Sequence, residues 1–97
     1  MAEEEQQIQT ECLNYLRKRG HFVWKNNNSR IKGKYFTKKG VSDILGIGKD
    51  GKFLAVEVKT DKGLLSPQQA DFILKVKYHG GIGVVARSVE DLVKAGL

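Results

Sequence analysis

Lys52-Phe-Leu-Ala-Val-Glu-Val-Lys59 is the stretch on which the fold turns. With a period of two, Phe53, Ala55, Glu57 and Lys59 fall on one face of a strand, and Leu54, Val56 and Val58 on the other. Asp61-Lys62-Gly63 ends the strand. Ser66-Pro67-Gln68-Gln69 then opens a helix, with Ser66 as N-cap, Pro67 at the first helical position and Gln69 closing a capping box. Phe72, Ile73 and Val76, extended toward Tyr78-His79, give that helix an apolar side until Gly80-Gly81 stops it. Ile82 to Ala86 reads as a buried strand, and the strand–helix–strand crossover makes it parallel to the first.

Working outward, a helix is expected from about Gln6 to Arg19, stopped by Gly20. Ile8, Cys12, Tyr15 and Leu16 form its apolar arc, Glu11 lies at the edge of that arc, and Glu3-Glu4-Glu5 precede the helix, facing its positive end. His21 to Asn26 forms a strand, and Ser42 to Ile47 another, joined to the central one through the hairpin signal Lys49-Asp50-Gly51. Ser88 with Asp91 caps a short final helix. The order is α-β-β-β-α-β-α, an α/β fold with a central mixed sheet flanked by helices, in one domain spanning residues 1–97. A chain this short has a thin core, and a second subunit would add buried area. Gly46-Ile-Gly-Lys-Asp-Gly51-Lys52 has the spacing of a phosphate-binding loop, but a strand follows it where such a loop needs a helix N-terminus.

The charge is local. The chain carries 17 Lys and Arg against 11 Asp and Glu, a net +6. Six of the cations (Lys25, Arg30, Lys32, Lys34, Lys38 and Lys39) lie in one stretch without an acidic residue, and the rest of the chain is neutral. Asn residues and Tyr35-Phe36 are interleaved with them. That pattern is the footprint of a contact to a nucleic-acid backbone. The single Cys12 excludes an internal disulfide and a Cys-based zinc site, and no run approaches the roughly 18 apolar residues of a membrane span. The acidic start is unlike a signal peptide, so the chain reads as cytoplasmic.

Asp43 and Glu57 are the residues that carry chemistry. A carboxylate in the middle of an apolar strand is costly unless it is paired or binds a cation. A plain surface ion pair between Glu57 and Lys59 is the simplest reading of that motif alone. Asp43, thirteen intervening residues, then Glu57-Val58-Lys59 instead reproduces the D…(D/E)-x-K spacing of the restriction-endonuclease-like nucleases, on the expected strands. Phosphodiester hydrolysis needs a divalent cation on hard oxygen ligands: Asp43, Glu57 and the main-chain carbonyl of Val58. Lys59 on the same face would position the attacking water or offset charge on the phosphate.

Gly40-Val-Ser-Asp43, Val56-Glu-Val-Lys59 and Leu65-Ser-Pro-Gln-Gln69, with Glu11 in the first helix, resemble the VRR-NUC (virus-type replication-repair nuclease) domain, from about Gln6 to Leu92. Ser42 stands where the superfamily motif has proline. The resemblance implies a restriction-endonuclease-like core, dependence on Mg2+ or Mn2+, and DNA as substrate. It further implies homodimers acting on branched DNA such as four-way junctions, with flaps or nicked duplex as the alternative substrates. A non-catalytic nucleic-acid-binding module is the competing class. By the same resemblance Glu11 supplies a further carboxylate to the metal site and Gln69 contributes to it. For Gln69 the capping box is an equal explanation, and Gln68 is the adjacent alternative.

Overall fold

Glu4 and Glu5 lie inside the first helix, α1 (Ala2–Lys18), and not before it. Their charges meet the positive end of the helix dipole, and α1 therefore starts a full turn earlier than its apolar arc suggests. The computed structural model describes residues 2–26, 30–31, 34–35 and 39–97, with backbone alone at 2, 3, 30, 31, 34 and 35. After α1, the His21 N–H folds back onto the Leu16 carbonyl at 3.1 Å and ends the helix. Six strands and two more helices follow: β1 (Phe22–Lys25), β2 (Arg30–Ile31), β3 (Lys34–Tyr35), β4 (Ile44–Ile47), β5 (Phe53–Val58), α2 (Pro67–Tyr78), β6 (Ile82–Ala86) and α3 (Val89–Lys94).

The main sheet has the order β1-β4-β5-β6, antiparallel from β1 through β5 and parallel between β5 and β6. This is the expected mixed sheet with its α2 crossover. The ribbon β2–β3, which pairs Arg30 with Tyr35 and Ile31 with Lys34, is an addition within the basic stretch. The Gly46–Lys52 segment is a strand and a tight turn, as its hairpin reading requires, with Gly48 N–H donating to the Lys52 carbonyl at 2.7 Å.

The period of two in β5 sorts the core. Leu54, Val56 and Val58 are fully buried with Cys12 and Leu16 of α1, Val23, Ile44 and Leu92 of α3. Each such aliphatic side chain contributes about 1.5–3 kcal/mol. Ala55 packs on the opposite face against Ile73 and Val76 of α2. Gly83 lets that helix lie close, since a Cβ there would stand 3.0 Å from the Ile73 carbonyl. α2 begins with both bonds of the capping box. Tyr78, assigned from sequence to the apolar side, is exposed. Ser88 occupies the N-cap of α3 without a side-chain bond, and the Asp91 carboxylate accepts the preceding N–H of Arg87 at 2.8 Å.

α2 covers β5 and β6 and leaves the β1 and β4 half of that face open. Phe22, Trp24, Ile47 and Phe53 are exposed there, with Phe22, Ile47 and Phe53 in one cross-strand row. Among the described residues no helix is long and apolar enough to cross a membrane.

Candidate active site

Lys25 pairs with Ile44, and Ile44 with Val56. One step further along the same registers, Asn26, Asp43 and Glu57 stand side by side across three strands, and the Asn26 N–H donates to the Asp43 carbonyl at 2.7 Å. The tight β4–β5 turn fixes that register, which is why thirteen intervening residues place two carboxylates opposite each other. β4 has ended at this point, so the Val58 N–H lacks a ladder partner there. Asp43 Oδ2 accepts it at 2.8 Å. Lys59 N–H turns the other way, to the Ala86 carbonyl of β6 at 3.0 Å. A residue in a strand directs its N–H and C=O to the same edge, so the Val58 carbonyl shares the Asp43 side.

Glu57 is 2% exposed. Its Oε2 accepts from Gln69 Nε2 at 2.9 Å and lies 3.9 Å from Lys59 Nζ, while Oε1 is buried without a partner. Burial, then the neighbouring Asp43 charge and a hydrogen bond shared with that carboxyl, push Glu57 up to about 8, against the pull of Lys59. The surface ion-pair reading of Glu57 and Lys59 does not describe this buried arrangement.

Gln69 closes the capping box and also touches Glu57. Its Oε1 accepts from Ser66 N–H at 2.9 Å in the capping box, and its Nε2 reaches Glu57. Gln68 faces elsewhere, lining a groove with Lys39, Asp71, Phe72 and Lys75. Gly40 passes against it: a Cβ would stand 2.7 Å from the Gln68 backbone, and φ is +89°. Both facts call for glycine at the head of the Gly40–Asp43 motif.

Glu11 is not part of the row. It is exposed, accepts from Gln7 Nε2 at 3.3 Å, and its charge acts on Cys12, whose thiol is raised mainly by burial to about 11. The α1 carboxylate whose charge reaches Glu57 is the half-buried Glu5. The signal for it was in the sequence. Glu5, Ile8, Cys12 and Leu16 share one arc at 100° per residue, but starting the helix at Gln6 put Glu5 outside it.

The basic segment leaves the sheet at Asn26 and returns at Asp43, so its ends sit at the carboxylates. Lys25 and Lys39 are exposed at its two ends, and Arg30 and Lys34 lie on the β2–β3 ribbon. Lys32, Phe36 and Lys38 lie outside the described residues. Among the described residues no three His, Cys, Asp or Glu side chains converge into a ready cage. The residues nevertheless fit a hard divalent cation: two opposed carboxyls, a strand carbonyl, and the orphaned Glu57 Oε1.

A mixed four-stranded sheet with helices on both faces, in a chain that the model of a nuclease domain matches over most of its length, defines a nuclease domain of restriction-endonuclease-like fold. The VRR-NUC domain model matches residues 3–90, and the chain belongs to that nuclease family. Two solved structures, described as a VRR_NUC domain and a VRR_NUC domain protein, share the fold. The first is 22% identical with a TM-score of 0.68, over 94% of this chain and 91% of its own. The second is 22% identical with a TM-score of 0.67, over 93% of this chain and 82% of its own. No curated protein matches the chain.

Proposed function

We propose that the chain is a single-domain endodeoxyribonuclease, dependent on Mg2+ or Mn2+, that cuts branched DNA and above all four-way (Holliday) junctions, working in the cytoplasm on the nucleoid. The observation that carries the reading is the buried Glu57, opposite Asp43, with an unpartnered oxygen beside Lys59 and Gln69. Asp43, Glu57 and the Val58 carbonyl would hold the cation, with Glu5 in place of Glu11 as the further carboxylate. When bound, the cation would polarise a phosphate oxygen and acidify a water. Val58 N–H fixes the Asp43 carboxylate, and Gln69, itself anchored by Ser66, fixes that of Glu57. Both acceptors are thus oriented in advance of substrate, which spares reorganisation during the reaction. Lys59 presents a cation to the charge that develops on the phosphate. The basic segment holds the DNA backbone beside this row.

Pairing as a homodimer is part of the proposal. Two sites related by a twofold axis suit paired incisions, and the open apolar face of Phe22, Trp24, Ile47 and Phe53 supports it. Cleavage of duplex, nicked, flap and four-way substrates with and without Mg2+ tests the reading. We expect cation-dependent cutting that favours the four-way substrate and is absent in Asp43→Asn. Equal cutting of every substrate would remove the junction assignment, and no cutting by the wild type would leave a binding module.

A further inference from the structure

We propose that Arg87 is a positioning residue for Lys59, an inference that rests on the role given to Lys59 above. Lysine is a flexible cation whose long stem carries much rotamer entropy, so a reacting lysine needs walls. Glu57 alone, 3.9 Å from Nζ, is a loose constraint. The loop that follows Lys59 supplies the rest, and Arg87 holds that loop.

Arg87 follows β6 directly. The last carbonyl of β6, at Ala86, takes the Lys59 N–H at 3.0 Å. The Arg87 N–H is tied to Asp91 Oδ2 at 2.8 Å, which anchors the residue to the first turn of α3. From there Arg87 Nη1 reaches three carbonyls of the loop: Thr60 at 2.5 Å, Gly63 at 2.7 Å and Asp61 at 3.3 Å. Among the described residues the ion pairs are Lys59–Glu57 and Lys75–Asp71, so carbonyl dipoles, and not a carboxylate, meet the Arg87 charge. The clamp lays Gly63 along the Lys59 stem. A Cβ at Gly63 would stand 3.4 Å from Lys59 Cδ and 3.3 Å from Thr60 Oγ1. The Lys59 side chain is 14% exposed and is confined between this loop and Glu57. A guanidinium just past the end of β6 thereby aims an ammonium just past the end of β5 without touching it.

Three variants test this: Arg87→Met, Arg87→Lys and Gly63→Val. Each is followed by kcat, KM and the NMR signals of the Lys59 side-chain methylenes, assigned by their loss in Lys59→Ala. Arg87→Met should lower kcat on the order of 10- to 100-fold with KM unchanged, the scale of a misplaced reacting group. Its Lys59 signals should move to those of exposed lysines. Arg87→Lys should recover most of both, because an ammonium offers three donors to the three carbonyls. Gly63→Val, which presses on the stem and leaves Arg87 alone, should reproduce the fall in kcat even if Arg87→Met fails to fold. Unchanged Lys59 signals in Gly63→Val together with a folded Arg87→Met variant at wild-type kcat would overturn the proposal, as would unchanged signals and kcat in Gly63→Val where Arg87→Met does not fold. Signals that move while kcat stays constant would uphold the positioning and overturn the catalytic role of Lys59 instead.

Discussion

Glu57 is buried, faces Asp43 and keeps its proton up to about pH 8, whereas its ordinary value is 4.5. The folded chain thus binds a proton that the unfolded chain has released. Stability from this group is fully present below pH 4.5 and is lost as pH rises toward 8. With a chelator present, the urea midpoint should therefore fall between pH 5 and pH 8. Glu57→Gln keeps the shape and the Gln69 contact without a titrating proton, so its midpoint should stay nearly flat. Mg2+ at pH 8 should restore stability to the wild type and not to Glu57→Gln, because the cation takes the place of the proton. The same variant, and Asp43→Asn, should abolish cleavage while circular dichroism and DNA affinity remain near wild type. Metal-dependent cutting retained by either would move the site elsewhere.

The elements that were legible from sequence are those with a period or a punctuation mark. β5 declares itself by alternation, α2 by Ser66-Pro67 and Gln69, and the Asp43–Glu57 row by a tight turn that leaves the register no freedom. Gln69 was legible as a cap, and the Glu57 contact follows from the same side chain having a second polar atom. The β2–β3 ribbon was not legible, because two-residue strands show no period. The reach of the Glu5 charge to Glu57 was not legible because an acidic triplet explains itself as a dipole partner, nor were the Arg87 contacts, because their acceptors are carbonyls that every residue carries. The cap also makes a prediction. Ser66→Ala removes the acceptor for Gln69 N–H and should cost about 1 kcal/mol, or roughly 4–8 °C in Tm for a chain of this size. The Ser66 N–H that anchors Gln69 Oε1 is retained, so kcat should change little. Gln69→Glu keeps the capping acceptor and places a third carboxyl on Glu57, so it should fold and lose activity. A Gln69→Glu enzyme with wild-type turnover would reduce Gln69 to a cap.

At the scale of the whole molecule, two surfaces meet at the carboxylate row. One is the apolar half-sheet; the other is the Lys25–Lys39 segment, which carries the whole net charge and lies in the connection that leaves the sheet at Asn26 and returns at Asp43. If the half-sheet pairs two copies, Trp24→Asp should convert a dimer to a monomer in light scattering at micromolar concentration without unfolding it, since the ring is 42% exposed. A wild type that is monomeric from the start would remove the dimer. The basic segment has a different signature. Each cation that neutralises a phosphate releases condensed counterions and adds about 0.9 to the slope of log affinity against log salt on duplex DNA. Replacing Arg30, Lys32 and Lys34 together by Ala should flatten that slope by roughly two to three. The loss should be alike for different sequences of one branched shape, because backbone contacts carry no base information. Turnover at saturating DNA should change little, since Asp43, Glu57 and Lys59 are untouched. An unchanged salt slope would make the segment a bystander and move the contact to the α2 groove, where Lys39 and Lys75 stand beside Gln68.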